Sequence, residues 1–318
     1  MITEGSTPPT MAGADPAAPV QGRPAPARVR RVLSAYVRLT KPRIIELLLV
    51  TTVPAMVLAD RGIPSLWLML ATLAGGTLAA GGANAINQYL DRDIDQIMSR
   101  TRGRPLPAHA IEPRRALAFG IALGLVSFGF LTLTVNLLSA VLSLAALAFY
   151  VFVYTMWLKR RSTQNIVIGG AAGAVPALVG WAAVTGRVGW PAVVLFAIVF
   201  VWTPPHFWAL ALRYQGDYAA AGIPMLPVVA GREATVRQIL WYSIALVATS
   251  LVLIPVGHVG WFYAVAAIGL GAEFVRRAVR LRSNATTALA MSLFGYSIVY
   301  LAALFLAVAV DTVVRRGV

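Results

Sequence analysis

The stretch Asn87-Gln88-Tyr89-Leu90-Asp91-Arg92-Asp93-Ile94-Asp95 holds three of the twelve acidic residues in a chain of 318. Residues 87, 91 and 95 recur every four positions, so on a continuing helix Asn87, Asp91 and Asp95 share one stripe and Asp93 points elsewhere. Like charges at this spacing repel, and a counter-cation relieves them. Carboxylate and amide oxygens are the ligands a hard Mg²⁺ accepts, and Mg²⁺ is commonly held by one or two carboxylates plus substrate phosphates. A helix C-terminus adds partial negative charge in the same place. Basic residues follow at once in Ser99-Arg100-Thr101-Arg102-Gly103-Arg104-Pro105, and guanidinium groups pair well with phosphate oxygens. The expected chemistry is metal-assisted handling of a phosphorylated substrate, with Asn87, Asp91 and Asp95 on the metal and Arg100 and Arg104 on the phosphates. The competing explanation is that the arginines only orient the chain in a membrane and the aspartates offset them.

Two more segments add candidates. Asp217 is the one acid between Glu112 and Glu233, which makes it the expected second metal anchor, the alternative being a solvated loop aspartate. Tyr154, Lys159, Arg160 and Arg161 precede Gln164-Asn165, and lysine occurs in the chain only at 41 and 159. Lys159 is a compact cation suited to phosphate, or else a helix-end lysine reaching for water.

The elements that must position these residues follow from composition. With 58% hydrophobic and 12% charged residues, the chain is far from the soluble norm of roughly 45–50% apolar and 25% charged. Nine apolar segments, near 44–60, 66–90, 116–136, 138–157, 165–185, 191–212, 238–257, 259–275 and 288–310, suit helices crossing a bilayer. Residues 1–30 are rich in Pro, Ala and Gly without apolar periodicity and read as a disordered tail, leaving 31–318 as one membrane domain. The formal charge of +15 does not point to nucleic acid, because the basic residues sit in short loops between apolar runs. With the N-terminus cytoplasmic, all but Arg61, Arg187, Arg315 and Arg316 of the 27 basic residues fall inside, which places the C-terminus outside. The absence of cysteine removes disulfides and thiolate chemistry.

A weak internal echo is also present: Asp95 precedes the Pro105 of Pro105-Leu106-Pro107 by ten residues, and Asp217 precedes the Pro227 of Pro224-Met225-Leu226-Pro227 by ten, in loops after the second and sixth segments. Duplication of a four-helix unit and coincidence both account for it. His206 lies inside an apolar segment, where an imidazole is costly and often functional. It suits a hydrogen bond to a carbonyl freed by the adjacent Pro204-Pro205 kink. Glu46 has no evident role.

The run from Asn87 to Asp95, with Arg104-Pro105-Leu106, resembles the first aspartate motif of the UbiA-type intramembrane prenyltransferases. Leu39-Thr40-Lys41-Pro42-Arg43, Asn165-Ile166-Val167-Ile168-Gly169-Gly170, Trp202-Thr203-Pro204-Pro205-His206-Phe207-Trp208 and Ala221-Gly222-Ile223-Pro224-Met225-Leu226-Pro227 narrow the likeness to the haem O synthase branch. It runs from about Leu39 to Phe305. The resemblance implies an all-α integral membrane protein with nine transmembrane helices bundled around a central cavity open to the cytoplasmic side. It implies farnesyl diphosphate and haem B as substrates, Mg²⁺ as cofactor, a bacterial cytoplasmic membrane, and haem A synthase as a product acceptor. Asn87, Asp91, Asp95 and Asp217 carry over to the metal, Arg100, Arg104, Tyr154, Lys159 and Arg160 to the diphosphate, and Trp202, His206 and Asn165 to haem. The second motif departs from the pattern, since Gly216 stands beside Asp217 where another acid is frequent. An aromatic quinone or chlorin precursor is the rival acceptor. A transporter is a more distant rival, because transporters place ionisable groups near the midplane, whereas these acids crowd the expected cytoplasmic ends.

Overall fold

A computed structural model describes the backbone of residues 25–316, and their side chains except those of residues 25–28, 43–49 and 316. Most of the expected tail, residues 1–24, and the Glu46 side chain therefore lie outside the described residues. The described part is built from helices: α1 (Ala25–Thr40), α2 (Pro42–Asp60), α3 (Leu66–Leu90), α4 (Arg92–Ile97), α5 (Pro113–Thr134), α6 (Leu137–Ala148), α7 (Asn165–Thr185), α8 (Trp190–Arg213), α9 (Gln215–Ala220), α10 (Leu226–Val229), α11 (Gly231–Gly257), α12 (Trp261–Ser283) and α13 (Thr287–Arg316). Helix α6 continues without a break into π-helical turns over Phe149–Trp157 and a 3₁₀ turn over Leu158–Arg160.

Each of the nine expected apolar segments falls on a long helix, but among the described residues seven are both long and apolar enough to cross a membrane. The remaining two explain themselves. The described apolar part of α2 is only Val50–Asp60, and the second half of α12 carries Glu273, Arg276, Arg277, Arg280 and Arg282. Helix α1 is an element the sequence reading did not include. Its start at Ala25 lies inside the expected tail, and Lys41, with φ 52° and ψ 63°, turns it into α2. Pro42 accounts for the break, since its ring disfavours α geometry in the preceding residue and its nitrogen donates no hydrogen bond.

Close backbone approach brings α3 against α5. A Cβ on Gly82 would stand 2.7 Å from the Gly120 carbonyl oxygen and 3.1 Å from the Gly124 nitrogen, the small-residue packing that membrane helices use. Ser127 on α5 donates to the Gly75 carbonyl of α3 at 2.7 Å. The largest buried cluster joins α2, α7, α8, α11, α12 and α13, with Trp208, Tyr263, Phe274, Tyr300 and Phe305 at its centre. Two of the four basic residues that defy the expected charge asymmetry have structural partners there. Arg61 donates to the Gly257 carbonyl and Arg315 to the His258 carbonyl, so two guanidinium groups satisfy carbonyl acceptors at the end of α11.

Candidate active site

Helix α3 ends at Asp91, which has φ −91° and ψ 4° and also opens α4. The Asp91 amide still reaches the Asn87 carbonyl at 2.9 Å, and the Asp95 amide the Asp91 carbonyl at 2.8 Å. The stripe therefore passes through the kink, and Asn87, Asp91 and Asp95 are all buried. Asp93 points away, as the spacing requires, with 59% of its side chain exposed.

Cations and donors surround this stripe. The Asn87 amide nitrogen donates to Asp91 Oδ2 at 2.7 Å and to Thr155 Oγ at 3.2 Å, while Lys41 Nζ donates to Asn87 Oδ1 at 3.0 Å. Lys159 forms an ion pair with Asp91 Oδ2. The only two lysines of the chain thus meet on adjacent members of one stripe, across a sequence separation that no local pattern encodes. Burial, helped by the charges of Arg104 and Lys159, pulls the Lys41 pKa down to about 7. Arg104 places one nitrogen 2.8 and 2.7 Å from the two oxygens of Asp95. Arg160 grips Asp93 with two bonds of 2.7 Å and touches the Leu90 carbonyl. Those bonds hold the Asp93 carboxyl at about 2, below its usual range.

The π-helical turns explain how Thr155 and Lys159 reach the stripe. Widening a helix by one residue per turn re-aims every side chain that follows, and such turns often mark functional sites. Here Thr155 donates to the Tyr150 carbonyl while accepting from Asn87. Tyr154 stacks on Tyr150 at 5.2 Å and lies against α7, where a Cβ on Gly169 would approach its ring to 2.3 Å. Asn165 opens α7, fully buried; its nitrogen lies 3.5 Å from the Lys159 carbonyl and its Oδ1 has no hydrogen-bond partner.

The loop after α8 mirrors the loop after α3: each continues into a six-residue helix carrying the acid, Asp95 in α4 and Asp217 in α9. Asp217 Oδ2 accepts from Ser99 Oγ at 2.7 Å and from the Arg100 amide at 3.3 Å. The two loops are therefore bonded directly, although the Arg100 guanidinium lies over the Tyr214 ring at 5.7 Å. The expected metal quartet is not assembled as one cage. Asn87 and Asp91 are together, Asp95 is held by Arg104 and Asp217 by Ser99, and no group of three His, Asp or Glu side chains is placed to hold an ion among the described residues. The fit to Mg²⁺ rests on Asp91 Oδ1, a buried carboxylate oxygen without a hydrogen-bond partner, with the Asn87 amide beside it. A site offering few protein oxygens suits a metal that shares its shell with substrate phosphates.

Two of the residues expected at haem, Trp202 and His206, form a separate group on α8. His206 Nδ1 lies 2.6 Å from Ser297 Oγ of α13, and its ring stacks between Trp202 at 4.2 Å and Phe294 at 4.6 Å. Trp202 is 4% exposed and gives its indole hydrogen to the Ser297 carbonyl at 2.7 Å. The His206 partner is thus a serine hydroxyl on another helix, not a carbonyl released by the proline kink. Asn165 stands with Lys159, not with His206.

Sequence reasoning missed Lys41, Thr155 and Ser99 as members of the site. The scarcity of lysine was a usable signal for Lys41. Nothing in the local pattern marked Thr155 or Ser99, whose partners lie 68 and 118 residues away.

Known proteins match this chain along most of its length. The UbiA prenyltransferase family model matches residues 48–308. Protoheme IX farnesyltransferase 1 of Saccharopolyspora erythraea is 58% identical over 305 residues, covering 95% of this chain and 97% of that protein. Protoheme IX farnesyltransferase of Frankia alni is 58% identical over 285 residues, covering 89% and 99%. Among solved structures, digeranylgeranylglyceryl phosphate synthase superposes with a TM-score of 0.73 at 17% identity, covering 89% of this chain and 99% of that one. A UbiA homologue from Archaeoglobus fulgidus bound to GPP and Mg²⁺ gives 0.58 at 18% identity, covering 86% and 99%. On a family model spanning most of the chain and relatives more than half identical to it, the chain belongs to the UbiA prenyltransferases, an all-α integral membrane fold with several apolar spans around a core.

Proposed function

We infer that the chain transfers the farnesyl group of farnesyl diphosphate to a vinyl group of haem B, giving haem O and releasing diphosphate. The observation that carries this reading is the convergence of Asn87 and Asp91 with Lys41 and Lys159, in a chain more than half identical to relatives named for that reaction.

The residues divide the work by charge. Asn87 and Asp91 would offer the first oxygen ligands to Mg²⁺, and Asp95 and Asp217 would join them only on leaving Arg104 and Ser99. When bound, the ion supplies charge neutralisation on the diphosphate. Lys41, Lys159, Arg104, Arg160 and Arg100 take up the negative charge that develops as the C1–O bond breaks and its electron pair stays with diphosphate. The haem vinyl group supplies the electron pair for the new bond to C1. Water adds to the resulting cation and loses a proton, leaving a hydroxyethylfarnesyl arm. The stacked Tyr150 and Tyr154, on the turns that carry Thr155, are the candidate aromatic surface for the allylic cation. His206, held between two aromatic rings about 10 Å below the end of α8 by helix rise, is the candidate contact to haem, with Trp202 fixing its ring.

The same reading supports the wider expectations: nine spans around a cavity open to the cytoplasmic side, an inside N-terminus, a bacterial cytoplasmic membrane, and product handed to haem A synthase. The test is incubation of purified protein in detergent with Mg²⁺, farnesyl diphosphate and haem B, followed by mass spectrometry for the hydroxyethylfarnesyl adduct. Prenylation of a hydroxybenzoate with no haem adduct would overturn the choice of acceptor and leave the diphosphate chemistry standing.

A further inference from the structure

Helix α1 divides its surface into three sectors, not two. At about 100° per residue, Ala35 and Leu39 face the protein, packing with Ala85, Leu106, Ile111 and Ala116. Arg30, Arg31, Ser34 and Arg38 form an exposed polar sector. Between them runs an apolar sector of Val29, Val32, Leu33 and Val37, exposed by 57%, 41%, 60% and 57%. A helix lying between protein and water needs only two sectors. Four large aliphatic side chains on the third call for a further apolar phase.

Position identifies that phase. Lys41, directly after α1, bonds to Asn87 in the last turn of α3. Helix α3 is 25 residues long, about 37 Å at 1.5 Å per residue, enough to cross a hydrocarbon core of roughly 30 Å. Helix α1 therefore leaves the bundle at the level where hydrocarbon gives way to headgroups. We propose that α1 lies in the plane of the bilayer surface at the site-bearing end of the bundle, seating Val29, Leu33 and Val37 among acyl chains and pairing Arg30 and Arg31 with anionic phospholipid headgroups. Charge selects the occupant: a second copy docking face to face would set these arginines against their own duplicates, whereas an anionic leaflet complements them.

The docking bears on the site. The Leu39 carbonyl accepts from Gln88 at 2.8 Å and the Thr40 carbonyl from Asn84 at 3.0 Å, both on the helix that carries Asn87. Arg38 reaches the Gly103 carbonyl at 2.6 Å, beside Arg104. A lipid-seated α1 is thus fastened to both walls around Asn87 and Asp95. This inference does not depend on the identity of the prenyl acceptor.

The chain has no cysteine, so single-cysteine variants of the full-length protein label cleanly. Leu33→Cys and Ser34→Cys are labelled with an environment-sensitive fluorophore and placed in nanodiscs containing a shallow doxyl-lipid quencher. The expected result is several-fold stronger quenching at position 33 than at 34. Adding phosphatidylglycerol to phosphatidylcholine discs should strengthen quenching at 33, and Arg30→Gln with Arg31→Gln should remove that gain, each charge changing the docking equilibrium roughly fivefold. Equal quenching at 33 and 34 overturns the orientation. A response at 33 that ignores phosphatidylglycerol overturns the anionic partner. Disulfide crosslinking of Leu33→Cys between copies, without quenching, replaces the lipid by a second chain.

Discussion

Replacing Asp91 by Asn separates what the carboxylate does for the fold from what it does for the reaction. The substitution keeps the shape but removes the charge facing Lys159, in an ion pair where Asp91 is fully buried and Lys159 keeps 14% of its side chain exposed. Breaking a buried pair by removing one partner costs about 3–5 kcal/mol. Because Lys159 can turn its ammonium toward water, the loss belongs at or below the lower end, roughly 2–3 kcal/mol. The rate suffers more. A divalent ion supplies several kcal/mol of charge stabilisation to a leaving group, and a loss of about 4 kcal/mol is about a thousandfold in kcat. The double variant Asp91→Asn with Lys159→Met removes both members. Without the uncompensated ammonium, thermal unfolding in detergent should move back toward the parent curve, while haem O formation stays at the level of the single variant or lower. Turnover by Asp91→Asn within tenfold of the parent, or recovery of activity in the double variant, would refute the role given to Asp91.

Three other perturbations probe separate links of the argument. Thr155→Val removes the hydroxyl that accepts from Asn87 and donates to the Tyr150 carbonyl. It should lower kcat about tenfold with KM little changed, the cost of about 1.4 kcal/mol of lost positioning, and steady-state kinetics against Thr155→Ser checks it. Gly82→Val forces a side chain into the 2.7 Å approach to the Gly120 carbonyl and should destabilise the α3–α5 pair by at least about 1–3 kcal/mol, read as a lower melting temperature. The Asp93–Arg160 pair has a pH signature: with the folded carboxyl depressed to about 2, its contribution is complete above the unfolded value of about 3.9 and is lost as pH falls through about 2. In Asp93→Asn the acid-melting difference from the parent should vanish across that window, and it should be under about 1 kcal/mol because the pair is partly exposed.

How much of this was legible in the sequence depends on the range of the interaction concerned. Apolar runs long enough to cross a bilayer are local facts, and each fell on a helix; so is the spacing of Asn87, Asp91 and Asp95, and all three are buried on one stripe. The outward orientation of Asp93 followed from the same periodicity. Helix α1 escaped because its apolar residues are spread over two sectors and interrupted by arginines, so no continuous run announced it.

The partners of the stripe belong to tertiary structure. Which cation meets which acid depends on the relative depth of α3, the α6 continuation and the loop near Lys41, set by backbone contacts such as Gly82 on Gly120 and by the π-helical turns over Phe149–Trp157. A hydrogen bond from Asn87 to Thr155, or from Ser99 to Asp217, joins groups whose sequence neighbours carry no record of the pairing. Composition and periodicity therefore determined the membrane-spanning helices and the acids offered at their ends. Only folding decided that Lys41 and Lys159 would share those acids, that Asp217 would be held by Ser99, and that His206 would answer to Ser297, because side-chain electrostatics act through space and not along the chain.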